Sequence, residues 1–152
     1  MITKDGVRKE AIESLRNHSM LGEIFASALN NYSSPSEIIK EAIEETGRAV
    51  NHKLERYLST LGTIATVAPL LGLFGTIIGM VELFSSFTSS GNDVAVFARG
   101  ISIALYNTAG GIVVAVPAMI AYRFFRTKID TLIFEMEQQA IKLVEIINGK
   151  RK

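Results

Sequence analysis

The chain of 152 residues has no cysteine, two histidines and three prolines. Without thiols it forms no disulfide, thiolate nucleophile or cysteine-ligated metal site. His18 and His52 lie far apart on helical patterns with no partner at metal-ligand spacing, so each reads as a surface residue. No Gly-rich loop follows a strand pattern to cradle a phosphate. An excess of one charge is lacking as well, with 16 Lys and Arg against 15 Asp and Glu. The basic residues alternate with Glu instead of forming a patch, which argues against nucleic acid as a partner. The opening MITKDGVRKEAIE has no apolar core of signal-peptide length, so insertion into any membrane is expected to rely on internal segments. These absences point away from an enzyme, a cofactor or a metal.

Charge is scarcest in the middle of the chain. Leu61 to Phe84 contains one ionisable side chain, Glu82, and Gly100 to Tyr122 contains none charged at neutral pH. At about 1.5 Å per residue each run crosses a hydrocarbon core of roughly 30 Å. Core helices of a soluble bundle are shorter and keep a polar face, which neither run has. The expectation is an all-α membrane protein: a transmembrane helical hairpin with long cytoplasmic helical extensions. In order along the chain these are a cytoplasmic helical segment (residues 1–57), a transmembrane helix (58–87), a periplasmic loop (88–98), a second transmembrane helix (99–122) and a cytoplasmic helix (123–152).

Flanking charge sets the orientation. Arg48, Lys53 and Arg56 precede the first span and Arg123, Arg126 and Lys128 follow the second, whereas the connection carries only Arg99, opposed by Asp93. By the positive-inside rule both termini are cytoplasmic. Before the first span, Ser34 reads as an N-cap, Pro35 as the first helical residue and Glu37 as the end of a capping box. Ile39, Ile43, Val50, Leu54 and Leu58 recur near the helical period with no turn signal, predicting one continuous helix into the membrane, bent at Pro69. The same rhythm runs through Ile129, Ile133, Met136, Ala140, Leu143 and Ile147. Between Val7 and Leu29, Ala11, Leu15, Ile24, Phe25, Ala28 and Leu29 predict a weaker amphipathic helix folded back on the other two. Polar faces mixing Glu with Lys favour helix packing over a lipid-surface role.

Small residues mark the spans. Gly72, Thr76, Gly79 and Leu83 share one face of the first, and Gly75 with Gly79 makes a GxxxG step on an adjoining one. Ala104, Thr108, Gly111 and Ala115 share a face of the second. Such faces let helices approach closely and read as an assembly signal, because one hairpin cannot enclose a pore. In lipid the hydroxyls of Thr76 and Thr108 need partners, either the carbonyl one turn earlier or a neighbour's ionisable group or pore water, and spacing alone leaves both open.

The runs TIATVAPLLGLFGTIIGM and ARGISIALYNTAGGIVVAVPAMIAYRFFRTKIDTL resemble the signature of the ExbB/TolQ/MotA family, over roughly Met20 to Ile147. The resemblance implies a homo-oligomer, a pentamer, in the bacterial inner membrane around an ExbD-like single-span partner with a membrane Asp. Proton flow would drive motion delivered to a TonB-like protein and so power outer-membrane transport. In that pattern Thr76 and Thr108 match pore-facing threonines, and Pro69 and Pro117 the two span prolines. The motif usually reads GIAEAL where this chain has GISIAL, so Ile103 stands in place of a glutamate. Proton transfer would rest on the partner's Asp and the threonines. Glu82 is the remaining intramembrane acid, about 120° from the Thr76 face, and reads as an interfacial or subunit contact. The family also begins with a further span, which this chain is expected to lack. Other readings are a TolQ-like or flagellar-stator-like subunit, or a shortened, non-conducting membrane scaffold.

Orientation is testable in this cysteine-free chain. With single cysteines replacing Ser90 or Lys150, an impermeant thiol reagent added to intact cells should label position 90 and spare position 150. Labelling of position 150 alone reverses the topology.

Overall fold

A computed structural model describes residues 9–90 and 94–149; Val7, Asp93 and Lys150, named above, lie outside them. The described residues form α1 (Lys9–His18), α2 (Met20–Asn30), α3 (Ser36–Leu54), α4 (Leu58–Ser90) and α5 (Val94–Ile147), with no strand among them. The chain divides into two compact units, one made of Met1–Arg56 with Thr127–Lys152 and the other of Tyr57–Arg126. At 54 residues, α5 measures about 81 Å, so only a portion of it fits in a hydrocarbon core of roughly 30 Å.

In the first unit, Ile24, Ala28, Ile39, Ile43, Val50, Ala140 and Val144 form a buried cluster, with Ile133 and Met136 packed against it. A second cluster joins Ile12, Ala26 and Leu29 to Leu143 and Ile147. The stripes on α2, α3 and the end of α5 thus meet each other. Burying Ile24, Ile43 and Val50, each fully enclosed, stabilises the unit by roughly 1.5–3 kcal/mol apiece.

Three local expectations are corrected. The helix anticipated across Val7–Leu29 is two helices: Ser19 is extended (φ −166°, ψ 165°), and its hydroxyl accepts from the Gly22 N–H at 3.0 Å, capping α2. Gly22 permits the close turn, since a Cβ there would stand 2.0 Å from the Leu15 carbonyl oxygen. The break changes the face of α1, burying Ile12 and leaving Leu15 exposed. Next, α3 starts at Ser36 without a side-chain cap bond, because Pro35 is extended (φ −53°, ψ 146°) and lies outside the first turn. Lastly, α3 and α4 are separate helices with a turn at 55–57, where Glu55 (ψ −6°) donates its N–H to the Asn51 carbonyl and closes α3. Apolar spacing resumes at Leu58, so periodicity passes over this break.

The second unit packs α4 against the membrane-spanning stretch of α5. Its buried side chains are Leu58, Ala65, Ala104, Ala115 and Ala118, nearly all small, while Leu70, Phe74, Val81, Val113 and Ile120 point outward with more than half their surface free. A soluble core would reverse that distribution. Here the large apolar surface faces outward, as a pair of helices solvated by lipid or by other helices requires. The helices extend further than expected toward their connection, α4 to Ser90 and α5 from Val94. Phe84 and Phe97 meet edge-on at 5.6 Å near that end. At the other, Arg126 donates to the Tyr122 hydroxyl at 2.7 Å.

In the first unit Glu137 lies over Gly47, where a Cβ would stand 2.1 Å from its Oε1. Burial, and then the nearby Glu44 carboxylate, raise its pKa above the ordinary carboxylate value, partly opposed by Arg48. A carboxyl raised on folding adds stability when protonated, and this is lost as pH rises through the raised value. Acidification from neutrality toward the ordinary carboxylate range should therefore raise the melting temperature of the detergent-solubilised chain. Glu137→Gln should raise it at pH 7 by about 1–3 °C and flatten this pH slope. A slope unchanged by the substitution counts against the assignment.

Candidate functional site

The site is built on a place where two backbones touch. A Cβ on Gly72 would stand 2.7 Å from the Asn107 carbonyl oxygen and 3.2 Å from the Gly111 Cα, and one on Gly111 would stand 2.6 Å from the Ala68 carbonyl oxygen. One turn toward the connection, Thr76 and Thr108 face each other, and beyond them Gly79 meets Ala104. The small residues read from the sequence as an assembly signal are thus used within one hairpin. Gly72, Gly79, Ala104 and Gly111 form the α4–α5 seam, and Ala115 is buried in the same unit.

Close approach gives Thr76 three partners: the Gly72 carbonyl at 3.1 Å, the Ala104 carbonyl across the seam at 2.9 Å, and the Thr108 hydroxyl. Thr76 thus makes the bond one turn back, and its partners across the seam are a carbonyl and a hydroxyl of α5, neither of them an ionisable group. Thr76 has one hydroxyl proton, which carbonyls can only accept. With that proton given to a carbonyl, Thr108 must donate to Thr76. Thr108 then keeps its acceptor lone pairs while its donor is engaged, so the pair is set to receive a hydrogen bond.

Along the open side of the seam runs a valley with two compartments. One, of about 610 Å³, is lined by Thr63, Val67, Leu71, Gly75, Asn107 and Gly110 among others. The second, of about 480 Å³, is lined by Gly75, Ile78, Glu82, Ser86, Ile103 and Asn107 among others. Neither compartment includes Thr76 or Thr108. Glu82 and Ile103 lie in the valley, off the threonine contact. Pro69 and Pro117 sit inside α4 and α5, which continue past them as helix. His18 and His52 lie on α1 and α3, both exposed, and the described residues contain no group of metal-ligating side chains.

The sequence reading missed Asn107. Its side chain lies over Gly75, with Cβ, Cγ and Nδ2 3.2–3.3 Å from where a glycine Cβ would be. A carboxamide with two donors and an oxygen acceptor in an otherwise apolar span was the available signal.

The hairpin and its paired hydroxyls define an all-α membrane protein. The profile of the MotA/TolQ/ExbB proton channel family matches residues 16–138, and the chain belongs to this family. It is 30% identical to the biopolymer transport protein ExbB of Neisseria gonorrhoeae over 144 residues, 93% of this chain and 64% of that protein. It is 36% identical to ExbB of Salmonella typhimurium over 108 residues, 68% of this chain and 44% of that protein. Against the Tol-Pal system protein TolQ of Haemophilus influenzae the identity is 32% over 106 residues, 67% and 46% of the two chains. The chain thus spans roughly half the length of these relatives.

The seam makes a direct prediction. Gly79→Cys with Ala104→Cys, positions whose Cβ atoms would lie 3.2 Å apart, should form a disulfide within one chain on mild oxidation. Gly72→Leu added to that pair should abolish the link by forcing the backbones apart. Links forming between chains instead would show that the small faces pack against other copies.

Proposed function

We propose that this chain is the proton-conducting subunit of an inner-membrane energy-transducing complex, ExbB-like in role. Several copies, five in the arrangement its family resemblance implies, surround a smaller single-span protein with a membrane carboxyl. Proton movement through that carboxyl is delivered as motion to a TonB-like protein that powers transport at an outer membrane. Both termini lie in the cytoplasm. Membership of a proton channel family supports the class of activity. The observation that carries the local mechanism is the Thr76–Thr108 pair, bonded across the seam and to two carbonyls inside apolar spans.

A proton crossing a water-poor interior has few stations. Neither threonine ionises. The Thr108 oxygen, with its acceptor capacity free, can take a hydrogen bond from a neutral carboxylic acid. It has no donor left for the ionised form unless the pair's hydrogens reverse. The contact therefore favours the protonated partner, and reversing the hydroxyl orientations accompanies release of the proton. Glu82, which shares the valley with Ser86 and lies off the threonine contact, serves as a subunit or headgroup contact. A TolQ-like role is the second reading, because TolQ shares 32% identity, within the range of the ExbB relatives. A non-conducting scaffold is the reading favoured by Ile103, which puts an apolar side chain in the valley.

Proton flux into vesicles containing the chain and its single-span partner separates these readings. Thr108→Val should lower flux at least about tenfold, the weight of a hydrogen bond to an ionising group, with assembly unchanged. Thr76→Val should weaken it likewise, and Glu82→Gln should have a mild effect. Full flux in both valine variants, or loss in Glu82→Gln alone, reverses the roles. No flux from the native chain with its partner leaves the scaffold.

A further inference from the structure

The valley lines up along α4 from Thr63 to Ser86, about 35 Å, enough to hold a helix through the whole apolar layer. Near its middle stands Asn107, and beside that residue on the next face of α5 stands Tyr106, 72% exposed. Among the described residues neither side chain makes a hydrogen bond. In water this is unremarkable for exposed groups. Inside an apolar span it leaves a carboxamide and a phenol without partners, each costing free energy until another polar group reaches it.

We infer that Asn107 is the polar contact between adjacent copies of this chain, its carboxamide oxygen accepting a hydrogen bond from the Tyr106 hydroxyl of the neighbouring copy. The inference rests on the ring-like assembly proposed above and assigns the residues that join it. In a ring about an axis normal to the membrane all copies sit at one depth, so Asn107 can meet only groups near its own level. Glu82 lies beside Leu83, which packs on Gly100, about 10 Å from Asn107 along the helix axis and too far for a direct bond. Thr76 and Thr108 lie outside both compartments of the valley in which Asn107 stands. Tyr106 differs in height by about 1.5 Å.

Shape agrees with this pairing. Tyr106 heads a ridge on α5 that continues through Val113, Ile120 and Phe124, each more than 60% exposed and spaced to share one face. The valley floor offers Ala68, Gly75 and Gly110, where a bulky ridge can settle. Ridge and valley occur once on every chain and lie on different faces, as a head-to-tail contact that propagates around a ring requires. A face-to-face pair of Asn107 side chains would close the assembly at two copies and strand both Tyr106 hydroxyls.

The test uses the full chain in membranes. Copies carrying Tyr106→Cys mixed with copies carrying Asn107→Cys should be joined into a dimer by a short bifunctional thiol cross-linker, whose spacer takes the place of the tyrosine ring that a direct disulfide could not span, and neither should be joined alone. In chains without cysteine, Tyr106→Phe and Asn107→Leu should each raise the dissociation constant of the oligomer in detergent about three- to tenfold per contact, the range of interhelical hydrogen bonds in membranes. The double variant should lose no more than either single one. Dimers from Asn107→Cys or Tyr106→Cys alone, no dimer in the mixture, or additive or absent losses would each overturn the inference. None of these measurements reads proton flux, so their failure leaves the conduction proposal standing, and loss of conduction leaves this contact standing.

Discussion

Everything in the membrane unit depends on how closely two backbones can approach at Gly72 and Gly111. A single methyl group on either residue would come within 2.6–2.7 Å of a carbonyl oxygen on the opposite helix. Van der Waals contact between main chains is what holds a helix pair together in lipid, where apolar side chains gain nothing by leaving the solvent. The same closeness brings the Thr76 hydroxyl within 2.9 Å of the Ala104 carbonyl and into contact with Thr108. Larger residues at the crossing would leave each hydroxyl to its own helix, and the shared polar pair would not exist.

The two units are stabilised by different physics. The unit built from α1, α2, α3 and the end of α5 has an ordinary core of branched aliphatic side chains, from Ile24 to Val144, with polar faces outside. The hairpin has no such core; its interior is glycine, alanine and threonine, and its large side chains point out. That inversion leaves the hairpin's surface to lipid or to other helices, while the first unit encloses a core of its own and still exposes Ile38, Phe134 and Ile146. It also concentrates chemistry: three polar groups, Thr76, Asn107 and Thr108, occupy one level of the hairpin.

Much of this was legible in the sequence, and the failures share a cause. Periodicity and hydropathy give the spans and the stripes through Ile39, Ile43 and Val50, because burial selects residues by face. The same measures are blind to the hydrogen-bond ladder. They pass over the turn at 55–57 and the break at Ser19, and they place Pro35 inside a helix whose first turn excludes it. At the site, spacing identified Thr76 and Thr108 but not that they bond to each other, since register between α4 and α5 is a property of the crossing. Small residues announced close packing without saying whether the neighbour belongs to the same chain. Asn107 was readable by composition alone, as an amide within apolar sequence, and went unread because the paired threonines lay within a recognisable motif.

The most direct test is a structure of the assembled chain in a lipid bilayer, determined by electron cryomicroscopy at a resolution that shows side chains. The account predicts that each copy keeps Gly72 against its own Gly111 and the hydroxyls of its own Thr76 and Thr108 in contact. Copies in which α4 and α5 of one chain are separated, with those threonines paired between chains or turned away from each other, would contradict it.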